Sequence, residues 1–467
     1  MDNLTQLSEK FVGFVWGYGA DFLGGVPLLV VALLLAGLFF TLYYRLPQFR
    51  HFKHAIDVTA GKYDKPEDKG EISHFQALCA ALSATIGLGN IAGVAVAIAA
   101  GGPGAVFWMW LAALVGAATK FTSISLSLMY REVTTEDGET VVHGGPMYTI
   151  KQGLGKVFAP LAFVYALFTI LSAFGAGNMF QSQSVASLLD ANGGVPTWVT
   201  GIIFAALTAA VILGGIKRIG NVAGKLVPTM VVLYFGAAVV IVLMNIGSVP
   251  ELLWKIVHDA FTGTAAVGGF AGVGIQTVIA QGIRRAVFSN EAGMGTAAMA
   301  HSAAKSKPIQ EGIVGLLGPY IDTIVVCTVT ALVLLITGEW MNAGGDNVGS
   351  VLTSTAFSSV LGTIGGWIVT LTVIFFAFST IISWSYYGEK GVTYLFGNGK
   401  KGIMVYRIIF VAFVFVGAVS KLTPVLNFSD AVFGLLAIPN LICNVLLSSE
   451  LKKSLKEYEA DLKAGKA

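Results

Sequence analysis

Residues 83–93, SATIGLGNIAG, set Gly87, Gly89 and Ala92 in a GxGxxA spacing. That spacing cradles a dinucleotide pyrophosphate when a strand precedes it and an acid follows about 20 residues on. Here ISHFQALCAAL precedes it, and no acid lies between Gly93 and Ala118, so the nucleotide reading fails on context. Gly89 and Gly93 also spell GxxxG, a small-residue seam that lets membrane helices approach closely. A second copy suggests a different chemistry. Residues 289–303, SNEAGMGTAAMAHSA, lie without a gap over residues 83–97, pairing Ser83 with Ser289, Gly87 with Gly293, Gly89 with Gly295, Ala92 with Ala298 and Ala97 with Ala303. Glycines at matching places suit two helix breaks, and Gly87, Gly89, Gly293 and Gly295 permit the backbone angles a break requires. Breaking a helix frees N–H groups that can hold a carboxylate and C=O groups that can hold a cation, provided they face a cavity and not lipid.

The surrounding elements must then be membrane helices. The chain has 467 residues, 55% of them hydrophobic and 12% charged, with a mean hydropathy of +0.76; that is too little polar surface to cover a soluble globule. Long apolar runs predict eleven spans, at 26–45, 72–100, 104–130, 157–189, 197–216, 224–246, 270–304, 310–337, 357–387, 403–420 and 424–447. Lys and Arg concentrate in alternate loops: Arg45, Arg50, Lys53, Lys62, Lys65 and Lys69, then Arg131, Lys151 and Lys156, then Lys217 and Arg218, Lys305 and Lys307, Lys390, Lys400 and Lys401, and the lysines after Leu447. The opposite side carries Lys10, Lys255 and Lys421. Positive loops stay in the cytoplasm, so the N-terminus is expected outside and the C-terminus inside, in a multi-pass plasma-membrane protein. With a net charge of +3 and lysines explained by topology, no nucleic-acid partner is expected. Cys79, Cys327 and Cys443 fall within spans without paired spacing, which argues against a disulfide framework or zinc knuckle. The start lacks a basic n-region and a cleavage site, so no signal peptide is expected.

The first glycine stretch falls in span 2 and the second in span 7, so the copies enter the membrane from opposite sides. Such paired breaks point to a midplane binding site. ATIGLGN resembles the first broken helix of LeuT-type transporters. GGPGAVFWMW at 101–110, HGGPMY at 143–148, FGAGNMFQSQS at 174–184 and SNEAGMG at 289–295 resemble motifs of the alanine or glycine:cation symporter family. The resemblance implies an all-α membrane protein of eleven transmembrane helices, with a 5+5 inverted repeat after one additional N-terminal helix. The expected units are 1–71, 72–247, an outer amphipathic segment 248–269 around VPELLWKIVHDAF, 270–447 and the tail 448–467. It also implies symport of a small neutral amino acid, alanine or glycine, with Na⁺ as coupling ion and no obligate protein partner.

For the substrate, the first break offers Thr85, Gly87, Leu88, Gly89 and Asn90. Asn90 has a donor and an acceptor, to bridge ligand and backbone or to cap the unwound segment. The second break offers Asn290, Glu291, Gly293 and Met294, where Glu291 would accept from an ammonium or tether the broken helix. Phe174, Asn178 and Gln181 belong to the helix that lines the site in this fold class, with Asn178 and Gln181 on one face. For the ion, the resemblance implies carbonyls of Ser83 and Ile86, with the Phe376 carbonyl and the Ser379 and Thr380 hydroxyls from FFAFSTIIS. Those hydroxyls could instead bond the preceding turn, and a register shifted to Ala377, Thr380 and Ile381 would lose one of them. Arg284 and Arg285 are expected near the outer vestibule, paired with an acid the sequence does not reveal. Asp322 suits either an ion network or a helix contact, while Lys120 and His301 are expected to snorkel at inner ends. Proton coupling to another small zwitterion is the alternative. An enzyme is disfavoured because no spaced His and carboxylate cluster or activated Ser or Cys stands out, and a simple channel is disfavoured by the paired breaks.

Overall fold

The computed structural model describes residues 3–65, 68–136, 139–213, 215–262, 274–344 and 347–465. Among them, seven helices are long and apolar enough to cross a membrane, and an eighth is formed by His74–Thr85 with Gly89–Gly101. The expected spans at 26–45 and 197–216 are the apolar helices Leu28–Tyr43 and Thr197–Ile212, each of 16 residues. The opening residues 270–273 of the expected seventh span, and residues 263–269 of the outer segment, lie outside the described residues. What precedes them is the amphipathic helix Val249–Thr262.

The first glycine stretch does interrupt its helix. Ser73 starts it with a capping box: its Oγ accepts the Gln76 amide at 3.2 Å, and its own amide donates to Gln76 Oε1 at 3.1 Å. The helix stops at Ile86, whose ψ of 92° is extended. The chain resumes through a wide π turn, Gly89–Gly93, into Val94–Gly101, bent by 50° from the first half. In the second copy Ile275–Asn290 ends on Glu291, a non-glycine held at φ 57°, followed by Gly293 at 92°, Gly295 at 80° and the short helix Ala297–His301.

The glycines therefore serve two purposes. Gly293 and Gly295 supply left-handed backbone. Gly87 and Gly89 do not; they make room, since a Cβ on Gly87 would stand 2.6 Å from Thr380 Oγ1 and one on Gly89 2.8 Å from Ser289 Cα. The GxxxG seam holds only at Gly89, because a Cβ on Gly93 would meet nothing closer than Leu88 O at 3.8 Å.

Several elements lie outside the expected spans. The helix Asn3–Gly17 buries Val12, Val15 and Trp16, and Trp16 Nε1 donates to Asp430 O at 2.8 Å. The expected loop 46–71 holds the helices Pro47–Arg50 and Phe52–Thr59. The tail forms the helix Ser448–Lys463, which buries Leu451, Leu455 and Tyr458. The all-α expectation is corrected by one antiparallel hairpin, Glu132–Glu136 with Glu139–His143. Its run of Val and Thr (EVTTE, ETVVH) favours strands, but it is too short to stand out between two long apolar helices.

Candidate functional site

The two breaks touch each other and together line one small pocket. Thr85, Gly87, Leu88 and Gly89 reach it from the first break, Glu291 from the second, Gln181 from the helix Phe180–Gly193 and Thr380 from the helix Thr363–Phe396. Phe288, Trp384 and Phe433 are its aromatic walls. Two polar groups face this space with distinct roles. Gln181 Nε2 donates to Ala176 O at 2.9 Å, which leaves Oε1 buried without a partner among the described residues. Glu291 accepts from Thr296 Oγ1 at 2.5 Å through Oε2, so the same carboxylate both lines the pocket and tethers the break.

Other expected substrate residues stand behind the wall. Asn90 Oδ1 accepts the Gly87 amide at 2.9 Å, and its Nδ2 donates to Asp322 Oδ1 at 2.7 Å: the side chain caps the break. Asn290 does likewise on the second break, accepting from the Ala292 amide at 2.9 Å and donating to Thr323 Oγ1 at 3.0 Å. Gly293 O accepts from Asn440 Nδ2 at 2.7 Å, and Met294 O from Tyr165 OH at 2.8 Å. Phe174 packs among Tyr406, Phe410 and Phe413, away from the pocket. Asn178 Nδ2 donates to Phe410 O at 2.7 Å.

Four of the five expected ion ligands converge. Ser83 O accepts from Thr380 Oγ1 at 3.1 Å and from Ser379 Oγ at 3.4 Å, while Ser379 Oγ lies 3.0 Å from Phe376 O. Ser379 thus also bonds its own preceding turn, the alternative weighed for these hydroxyls, while Thr380 Oγ1 reaches across to the first break. Ser383 joins unexpectedly, its Oγ donating to Ser83 Oγ at 2.9 Å. Ile86 follows at the break itself, its amide bonded to Leu82 O at 2.6 Å. Neutral carbonyl and hydroxyl oxygens clustered at a helix end are hard ligands, suited to a hard cation such as Na⁺.

A model of the sodium:alanine symporter family matches residues 7–467. The chain belongs to that family. It is 44% identical over 463 residues to the sodium/alanine symporter AgcS of Methanococcus maripaludis, covering 98% of this chain and 97% of that one. The probable sodium/glutamine symporter GlnT of Bacillus subtilis is 36% identical over 467 residues, covering 99% and 93%. Among solved structures, MhsT in complex with L-phenylalanine aligns with a TM-score of 0.54 at 14% identity, covering 81% of this chain and 98% of that one; this likeness shows a LeuT-like fold alone. The chain is a multi-pass membrane transporter and not an enzyme.

In this symporter-family chain several of the buried charges are tied to the breaks. Asp322 accepts from Ser289 Oγ and Thr323 Oγ1, each at 2.7 Å, as well as from Asn90, so one carboxylate links both broken helices. The snorkelling expected of Lys120 is overturned: it is buried, and its Nζ donates to Asn290 O at 3.1 Å, where a helix C-terminus presents free carbonyls and favours a cation. His301 does not snorkel either, being fully buried with Nδ1 2.6 Å from Glu311 Oε1. The acid facing Arg284 and Arg285 is Asp430. Its Oδ2 accepts from Arg284 Nη2 at 2.5 Å and from Arg285 Nη2, and Arg284 stacks over Trp16.

Sequence reasoning missed Trp384, although it follows Thr380 by one helical turn and shares its face. A sharper signal was Gly177 in GAGN, where a Cβ would stand 2.3 Å from Trp384 Cβ. Phe288 and Phe433 gave no signal, because an apolar residue in an apolar helix looks alike whether it faces lipid, core or cavity.

Proposed function

We propose that this transporter imports small neutral amino acids, alanine and glycine, by Na⁺-coupled alternating access. Its frame would be eleven spans, the last ten forming two inverted five-helix repeats, with the N-terminus outside and the C-terminus in the cytoplasm of the plasma membrane. The observation that carries this reading is the convergence of Ser83 O, Phe376 O, Ser379 Oγ and Thr380 Oγ1 at the very helix end that opens into the polar pocket. Thr380 belongs to both, so ion and substrate sites share a wall.

The substrate carboxylate would meet the freed backbone of Thr85 to Gly89, and the ammonium would meet Glu291 and Gln181 Oε1. Phe288, Trp384 and Phe433 close the space beyond, which favours a side chain no larger than a methyl group. The names of AgcS and GlnT support a sodium-coupled amino acid but differ on which one. The experiment is uptake of radiolabelled alanine and glycine into proteoliposomes under an imposed Na⁺ gradient, with choline as replacement. Undiminished uptake in choline sinks the sodium claim. A second reading, proton coupling to another small zwitterion, is favoured by the burial of Glu291, Asp322 and Lys120 beside the second break; it predicts uptake driven by a pH gradient without Na⁺.

A further inference from the structure

On the face that the Lys and Arg bias assigns to the cytoplasm, the chain entering the first broken helix is stitched to the chain leaving the second. The Glu71 and Ile72 amides donate to Ala303 O at 2.7 and 3.1 Å, and the Lys305 amide to Ile72 O at 2.8 Å. Arg131 clasps both strands, donating to Lys69 O at 2.7 Å, Ser302 O at 2.5 Å and Ala304 O at 2.7 Å.

Beneath the stitch the Glu311 carboxylate is fully buried between two imidazoles. His74 Nδ1 lies 2.5 Å from Oε2 and His301 Nδ1 2.6 Å from Oε1. His74 opens the first broken helix, His301 closes the second, and Glu311 belongs to the next helix, Pro308–Gly315. On its other side His74 Nε2 lies 3.3 Å from Asp64 Oδ1. The Asp64 oxygen faces Nε2 at ion-pair distance without hydrogen-bond geometry, so a protonated His74 is flanked by two carboxylate charges while hydrogen-bonding only Glu311. The remaining charged neighbours are Asp68 on the entering chain, Arg131 above, and Glu71, which takes the Val142 amide at 2.8 Å; the Lys390 ammonium reaches Val142 O at 2.8 Å.

We propose that His74, Glu311 and His301 form a proton-sensitive latch that holds the two broken helices shut on the cytoplasmic side, so that acidification there slows opening. The inference rests on the alternating-access reading above. Protonating His74 turns a bond from a neutral ring to the Glu311 carboxylate into an ion pair in a buried site, where opposite charges attract strongly, and an imidazole ordinarily titrates near pH 6.5, so the latch is tighter when His74 is charged than when it is neutral. Its reach extends to the ion. From residue 74 to residue 83 the helix rises about 14 Å, so a swing released at His74 carries the Ser83 carbonyl away from Ser379 and Thr380. These are positioning residues, distant from substrate and ion.

The test places a reporter cysteine at Ala84, in the pocket wall, in a chain whose Cys79, Cys327 and Cys443 are replaced by Ala. The rate of its modification by an impermeant maleimide is measured from the cytoplasmic face of inside-out vesicles, at pH 6 and pH 8. Comparing His74→Gln with its parent at each pH cancels the thiol's own pH dependence. The rate ratio is expected to be at least fivefold at pH 6 and near one at pH 8; the same ratio at both values overturns the proposal. His74→Gln could unfold the protein, so a second variant, Asp64→Asn, removes only a half-exposed carboxylate. It is expected to shift the midpoint of the parent's pH dependence downward, and an unmoved midpoint also counts against the latch. Labelling reads opening without transport, so absent alanine uptake in the parent would fault the transport reading and leave the latch to be judged on its own rates.

Discussion

Thr380→Val removes a hydroxyl at nearly constant volume from the place where ion and substrate sites meet. In the structure Thr380 Oγ1 contacts Ser83 O at 3.1 Å, lines the pocket and is 1% exposed, so no bulk water screens the loss. A contact between a neutral group and a charge is worth about 1.5–3 kcal/mol. Partial replacement by a trapped water keeps the loss near the lower end, about 1.5 kcal/mol, which corresponds to about a tenfold weaker apparent Na⁺ affinity. Folding should lose only about 1 kcal/mol, because Ser83 O keeps the Ser379 hydroxyl. The assay is the Na⁺ dependence of alanine uptake in proteoliposomes, with thermal unfolding in detergent as control. Thr380→Ser retains the oxygen and should stay within about twofold of the parent, since it loses only a methyl group. An unchanged half-saturating Na⁺ concentration in Thr380→Val, with a raised KM for alanine instead, would refute the ion assignment and leave the hydroxyl to the substrate.

Three further outcomes follow from neighbouring contacts. Gly87→Ala would push a Cβ to 2.6 Å from Thr380 Oγ1; uptake should fall to near background while the protein stays folded, and normal transport would show that the first break is not the pivot. Glu291→Gln should raise the KM for alanine about tenfold, by weakening a charge-assisted contact worth about 1.5 kcal/mol, with a smaller effect on Na⁺ dependence; a lower melting temperature at unchanged KM would make Glu291 a tether for Thr296 alone. Asp430→Asn strips the charge from the partner of buried Arg285 and should cost about 3 kcal/mol in thermal unfolding, most of it recovered by adding Arg285→Met. A single variant as stable as the parent would contradict the pairing.

Much of the frame was legible because its causes are local. Apolar runs marked most helices, and the duplicated glycines at 87, 89, 293 and 295 marked two of the places where helix regularity fails, the π segments Gly175–Met179 and Tyr320–Cys327 being others. Ser379 and Thr380 were singled out by the family resemblance; spacing added only that positions i, i+3 and i+4 from Phe376 share a helix face. Side-chain direction was not legible. Asn90 read as either a ligand contact or a cap and Asn290 as a ligand contact; in the structure each caps its own break, because a freed amide buried among helices must find an acceptor nearby. Phe174 and Gln181 lie on one span, Lys156–Gly193, but the π turn Gly175–Met179 separates their helices and Phe174 does not face the pocket.

The sequence by itself determined that the chain lives in a bilayer, where most of its long apolar helices run and where two of them break, since hydropathy and glycine act through the residue that carries them. Only the tertiary structure decided what each buried polar group answers to. Asp430 faces Arg284 and Arg285 from 146 and 145 residues away, Asp322 joins Asn90 to Ser289, and Glu311 draws together His74 and His301 from separate helices. A charge removed from water must find its partner wherever packing brings one, and no spacing along the chain records that choice.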